Sequence, residues 1–451
     1  MMTSVLRSLA VVILLALGRA PLSPQGAPPY SPQAALETFR LAAGFRIELF
    51  AAEPLISDPV AMEVDENGRT YVVEMHGYPL DVAGSGRVML LDDADHDGRP
   101  DRSIVFADGL RLPNGIMRWK KGILVTDPPD VWYLEDTDGD GRADVKRVIL
   151  TGFARTNPQH MMNTPLYGLD NWIYLANEGP VRTIHYPDLF GDAGTEIRFP
   201  GRAEGPRLPS DAAGRNVRFR PDTDEIEMLS SRSQFGHTFD AWGHHFLNTN
   251  NRHIYQEVIP ARYLSRNPAL VVPTVVEQLP DYRLPADVFP ITKDPEFQLL
   301  TDVGVMTSAS GLTYYLADLF PPAYRSAAFV AECAHNLVHV DAVRDHNVTF
   351  RASRMFDGRE FLCAVRDRLL PRDHRAPGMA RRCHREIAST VRGTGSRPDL
   401  PHRPHGDAGG VVGEPRSPRN AVGTGAGPDA EPSERLVAPQ RAASSRRSKS
   451  P

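Results

Sequence analysis

Two stretches of this chain carry carboxylates at a spacing that wraps a hard cation. Asp93, Asp95 and Asp97 are followed by Gly98 and Asp101 (DADHDGRPD), and Asp136, Asp138 and Asp140 by Gly141 and Asp144 (DTDGDGRAD). Ca2+ takes about six to eight oxygens, and acids at the first, third, fifth and ninth loop positions, with a glycine at the sixth for the sharp turn, supply much of that shell. The twelfth positions are Ile104 and Arg147 rather than glutamate, so neither is a complete helix-flanked Ca2+ loop. The apolar runs VMLL and VWYL just before them place both turns in β-hairpins. Either each turn holds Ca2+ or it is a solvated acidic turn. The motifs recur 43 residues apart, at equivalent points of successive units, which points to a structural role rather than a catalytic one. The histidines form the second group. His160 lies in TNPQHMMNTPLYGLDNW, and His237, His244 and His245 in QFGHTFDAWGHHF. Imidazole changes charge near neutral pH and so suits proton transfer. His160, in a loop beside Gln and Asn, and His237 are the candidates. His244 and His245 fall on a strand, where adjacent residues face opposite sides. A hydrogen-bonded structural histidine is the competing reading for all four.

The elements that must hold these residues read as an all-β fold. The chain has 451 residues, with 36 Gly and 40 Pro spread along it, and helix-periodic segments are scarce. From about residue 36 a motif recurs, in which a short β-rich run, a turn with Asp, Asn or Gly, and a second aromatic-rich run follow one another. AMEVDENGRTYVVEM, GIMRWKKGILVTDPPDVWYLEDTD, PLYGLDNWIYLANEG and FDAWGHHFLNTNNRHIYQEV are examples. Their spacing of about 45–60 residues is that of propeller blades. Blades bury both faces against their neighbours, which explains apolar runs in place of clean alternation. Residues 36–362 are expected to form a β-propeller; they are too many similar units for one sandwich.

The ends differ from this body. Arg7 followed by the apolar run SLAVVILLALG reads as a secretory signal over residues 1–27, with an uncleaved membrane anchor as the alternative. Residues 28–35 form a Pro-rich linker. The expectation is an exported protein, periplasmic or extracellular. Cys333, Cys363 and Cys383 make no disulfide framework, with one pair at most, and no C-x-x-C-H encodes covalent haem attachment. No dinucleotide fingerprint, P-loop or nucleophile elbow occurs. The formal net charge is -5, yet residues 363–451 carry about 17 Lys and Arg against about 9 acids. That basic segment lacks interleaved aromatic residues, so nucleic acid is not expected as a partner.

LAAGFRIELFAAEPLISDPVAMEVDENGRTYVVEM, DGLRLPNGI, LEDTDGDGRAD, SQFGHTFDAWGHHF and SGLTYY with FVAECAHNLVH, in this order, resemble the propeller module of the planctomycete-type membrane-bound dehydrogenase proteins. That module is similar in fold to soluble quinoprotein glucose and sorbosone dehydrogenases. The resemblance covers residues 36–362. It implies about six blades and oxidation of a sugar or other alcohol with pyrroloquinoline quinone. It also implies a histidine general base, here His160 or His237, and Arg and Asn groups on the quinone carboxylates, nearest in type Arg111 and Asn114. A cytochrome would accept the electrons. Helical repeats and a cytochrome c domain usually follow in the family; neither is found here. After Leu362 the sequence departs from the pattern before the ring is complete. Residues 363–451 read as a disordered basic tail or, in preference, as the product of a shifted reading frame. The alternatives to an enzyme are a Ca2+-stabilised propeller that binds glycans or proteins, and a truncated, inactive gene product.

Overall fold

The computed structural model describes residues 30–180, 186–292 and 304–365, together with the backbone of residues 391–393. These residues form five four-stranded antiparallel sheets arranged as propeller blades. The first blade runs through Pro59–Val64, Thr70–Glu74, Gly86–Asp92 and Arg102–Leu110, and the second through Gly115–Trp119, Gly122–Asp127, Asp130–Glu135 and Val145–Thr151. The third comprises Asn163–Tyr167, Ile173–Ala176, Val217–Arg220 and Glu225–Met228, and the fourth His237–Phe239, His245–Thr249, Arg252–Glu257 and Val276–Gln278. Ala309–Tyr314, Ala327–Glu332, Leu337–His346 and Thr349–Arg354 make the fifth. An insertion in the third blade, Glu196–Arg198 and Arg207–Ser210, crosses back to extend the outer edge of the second. Among the described residues no helix is long and apolar enough to cross a membrane.

The second strands show why the sequence reads as apolar runs. Tyr71, Val72 and Val73 are all buried, as are Ile123, Leu124 and Val125, because each sheet is covered on both faces. One apolar cluster joins blades one and two, a second joins two and three, and a third joins four and five. Trp172, Tyr174, Leu229 and Phe239 join three and four.

The resemblance implies about six blades in the family, with the ring incomplete here; five are present among the described residues. The outward faces of the first and fifth blades are covered instead by the segment that precedes the first blade. Phe39, Leu41, Phe45 and Ile47 pack on the fifth blade against Tyr324, Val340 and Phe361. Phe50, Ala51 and Ile56 pack on the first against Val72, Met89 and Leu91. The expected boundary after Leu362 falls inside a strand, since Leu362–Ala364 pairs with both Phe39–Leu41 and the fifth blade's third strand. Cys363, in that strand, is buried. Val391–Gly393 in turn pairs with Phe45–Ile47. Strand pairing uses backbone groups, so the loss of aromatic residues after Phe361 did not mark its end. Of the Pro-rich linker, Pro32–Leu36 is a helical turn whose Ala34 amide donates to the Ser31 hydroxyl. The expected signal segment and nearly all of the expected tail lie outside the described residues.

Phe45 makes edge-to-face contacts with Phe320, Tyr324 and Phe361 at ring-centroid distances of 4.9, 5.0 and 4.9 Å. Phe45→Ala is expected to lower unfolding free energy by about 2–3 kcal/mol, less than a fully buried phenylalanine because the ring is only partly buried. Denaturant titration checks this, and an unchanged midpoint would mean the segment does not seal the fifth blade.

Candidate active site

In a four-stranded meander, the connections from strand two to three and from each blade to the next leave from one end of the sheets. The remaining hairpins leave from the other. At the first end a clip recurs. Glu74, closing the second strand of blade one, accepts the Ser57 amide at 2.6 Å. Asp127 of blade two accepts the Arg111 and Leu112 amides at 3.0 and 2.7 Å. Glu332 of blade five accepts the Thr307 and Ser308 amides at 3.1 and 2.8 Å. Each acid is buried and pins the segment that enters its own blade. Burial pushes the Asp127 carboxyl up to about 6, against the opposing pull of its two amides. Blade four uses an amide pair for the same purpose, Gln234 Nε2 donating to Asn250 Oδ1 at 2.7 Å and the Asn250 amide to Gln234 Oε1 at 2.9 Å.

In blade three the clip is a histidine and a carboxylate. Glu178, just past the second strand, accepts from His160 Nδ1 in the segment that enters the first strand. The His160 side chain keeps 13% of its surface exposed, and its Nε2 has no hydrogen-bond partner among the described residues. A carboxylate on Nδ1 fixes the tautomer that leaves a lone pair on Nε2. Beside it Gln159 Nε2 donates to the Tyr78 hydroxyl at 2.6 Å, and Gln234 Nε2 reaches the Gln159 carbonyl at 3.4 Å. The loop that carries Tyr78 abuts Arg111, whose carbonyl lies 3.2 Å from where a Cβ on Gly77 would stand. Arg111 and Arg232, in the loops entering blades two and four, are exposed. Neither guanidinium has an ion-pair partner among the described residues. His160, Gln159, Tyr78, Arg111 and Arg232 thus share one end of the propeller.

The other expected site residues lie elsewhere. Asn114 is buried, its Oδ1 accepting from the Thr126 hydroxyl at 2.6 Å and its Nδ2 without a hydrogen-bond partner among the described residues. His237 is 2% exposed. Its Nε2 donates to the Thr164 carbonyl at 2.8 Å and its Nδ1 lies 2.9 Å from His245 Nε2, so both nitrogens are engaged within the protein. His244 sits in a turn with Nδ1 2.7 Å from Asp240 Oδ2.

Both Asp-rich turns are third-to-fourth strand hairpins of adjacent blades, at the end opposite His160. Asp93, Asp95 and Asp101 bring one carboxylate oxygen each within 4.8 Å of one another, and so do Asp136, Asp138 and Asp144. Gly98 and Gly141 have φ of 89° and 85°, a region that favours glycine. Asp97 and Asp140 turn instead to the amides of Arg99 and Arg142. Sequence reasoning missed Glu178, Tyr78 and the strand-end acids. Their signal was the acid ending successive apolar runs, as in YVVE, ILVTD and FVAE.

A family described as "Domain of unknown function (DUF7133)" matches residues 31–375. No curated protein matches the chain. Among solved structures the chain is similar to the holo pyranose dehydrogenase PQQ domain of Coprinopsis cinerea, at 14% identity and a TM-score of 0.40, covering 76% of this chain and 89% of that one. It is similar to a Trichoderma reesei carbohydrate-active enzyme of family AA12, at 12% and 0.40, covering 77% and 90%. It is also similar to the PQQ-bound aldose sugar dehydrogenase of Streptomyces coelicolor, at 11% and 0.35, covering 69% and 86%. Likeness at this level carries nothing about this chain's chemistry.

Burial pushes the His237 imidazole down to about 4 from its ordinary 6.5. The unfolded chain takes up the proton first as pH falls. The stability this group contributes is therefore complete above pH 6.5 and is lost as pH drops toward 4, by about 3 kcal/mol. His237→Gln is expected to flatten that part of the melting temperature–pH curve. Equal slopes for the two proteins between pH 6.5 and 4 would count against a buried neutral His237.

Proposed function

The chain belongs to the DUF7133 family, and from the face just described we propose that it is an exported quinone-dependent dehydrogenase that oxidises a hydroxyl of a sugar or other alcohol. The observation that carries the proposal is the His160–Glu178 pair, with His160 Nε2 without a partner among the described residues, at the end of the propeller where the loops of Arg111 and Arg232 also lie. His160 Nε2 takes the substrate hydroxyl proton. Glu178 holds the ring in the accepting tautomer and stabilises the imidazolium that forms, the arrangement by which a carboxylate supports a histidine base. Gln159, held by the Tyr78 hydroxyl, offers its side-chain carbonyl for orienting a neighbouring substrate hydroxyl. Pyrroloquinoline quinone, when bound, supplies the hydride acceptor. Arg111 and Arg232 would hold its carboxylates, because two unpaired guanidiniums on one face suit a polyanion. Asn114 is buried and is given no role here. A cytochrome is the proposed electron acceptor.

The test is dye-linked oxidation of a panel of sugars and alcohols by quinone-reconstituted protein. His160→Gln is expected to abolish turnover with the fold intact, and Glu178→Gln to lower kcat about a hundredfold. Arg111→Ala should weaken quinone binding, read by fluorescence titration without any substrate. Oxidation that survives His160→Gln removes it from the site, and no oxidation by wild type across the panel sinks the enzyme reading.

The paired Asp-rich turns support a second reading, a Ca2+-stabilised propeller that binds glycans or proteins without catalysis. The two readings share the proposal that Asp93, Asp95 and Asp101, and Asp136, Asp138 and Asp144, bind Ca2+ in the folded state. A native-state ligand raises stability by mass action, so chelation should lower the melting temperature at matched ionic strength. A melt that chelator does not move would leave the turns as solvated hairpins.

A further inference from the structure

Between the fourth and fifth blades, four side chains from three segments bring ligand atoms to one point. His253 comes from the third strand of blade four, Tyr282 from the connection that follows it, and His339 and Asp341 from the third strand of blade five. His253 Nε2 lies 2.9 Å from Asp341 Oδ2, and His339 Nε2 3.2 Å from Asp341 Oδ1. The Tyr282 hydroxyl lies 2.9 Å from His253 Nε2, 3.0 Å from His339 Nε2 and 2.7 Å from both Asp341 oxygens. One ligand atom from each of His253, His339 and Asp341 falls within 4.8 Å of the others. All three residues are 0–1% exposed. Two imidazoles presenting Nε2 alongside a carboxylate and a phenol make the donor set of a divalent transition metal rather than of Ca2+ or Mg2+.

The surroundings agree with that assignment. His339 Nδ1 lies 2.7 Å from Glu360 Oε2, and Arg354 Nη1 donates to Glu360 Oε1 at 3.2 Å. A carboxylate behind a ligating imidazole fixes the ring's orientation and raises its basicity. Asp341 and Glu360 bring two negative charges where Arg354 brings one positive. A cavity of about 400 Å³ is lined by Tyr282, Arg354, Phe289 and Asp281 among others, so one of the four proposed ligands also borders it. We propose that His253, His339 and Asp341, completed by Tyr282, bind one divalent transition-metal ion, Zn2+ by donor type, that ties blade four to blade five.

The alternative is a set of hydrogen bonds in which both imidazoles and the phenol donate to Asp341. Full-length protein with excess Ca2+ present, to fill the Asp-rich turns, separates the two when titrated with Co2+ alone. The expected result is one equivalent of Co2+ with intense visible absorption of low coordination number, displaced by Zn2+, and a melting temperature that rises with Zn2+. Asp341→Asn and His253→Gln should each weaken Co2+ binding about a hundredfold. Glu360→Gln should weaken it about tenfold, through the ring it orients. Wild type without that absorption, or absorption that survives in Asp341→Asn and His253→Gln alike, overturns the site. Where a variant fails to fold, the wild-type titration and Tyr282→Phe, expected to shift the Co2+ spectrum, decide it.

Discussion

A buried carboxylate can stay charged only where donors meet it, and that requirement shapes one whole end of this propeller. Glu74, Asp127 and Glu332 each end the second strand of a blade, and each finds its donors in backbone amides of the segment that leads into the same blade. The acid therefore fixes where that segment lies before its first strand begins. Because the loops at this end all start or finish at such a clip, they emerge at repeated positions. Blade four keeps the clip with amides in place of the acid.

Blade three uses the clip differently, and this is where structure passes into chemistry. Glu178 still holds the entering segment, but it does so through the His160 ring rather than through a peptide amide. The same bond that anchors the loop orients an imidazole toward open space. The two Asp-rich turns sit at the opposite end, so the cation binding proposed there and the proton transfer proposed at His160 would act on different surfaces of the same sheets.

Much of the fold was legible because blades repeat. Apolar runs of strand length, separated by Asn, Asp and Gly turns, gave strands and order, and the Asp-rich turns fell in the expected hairpins. The cover over the first and fifth blades was not legible, because the segment around Phe45 has too few residues to read as a unit. The loop setting of His160 was legible in its sequence. His237 was not separable from it by sequence, since a fully buried strand histidine and a partly buried loop histidine share one letter. Burial and the pairing with His245 distinguish them. Glu178 went unseen because its partner lies a whole strand pair away. The cluster of His253, His339 and Asp341 draws on two blades, and no local pattern announces such a meeting.

The segment that covers the first and fifth blades also sets an order of events. Phe39 pairs with Ala364, across nearly the full length of the described chain. The stretch made first on the ribosome thus has its docking surface made last. Blades one to four are built mostly from hairpins near in sequence and can form as the chain emerges, whereas this contact must wait for the fifth blade and bears the entropy of closing a very long loop. Until then the outer faces of the first and fifth blades stand open, with Val72, Met89 and Leu91 on one and Val340 and Phe361 on the other. The nascent protein spends that interval as a ring with a gap, and a chaperone that shields apolar sheet faces would act on it there.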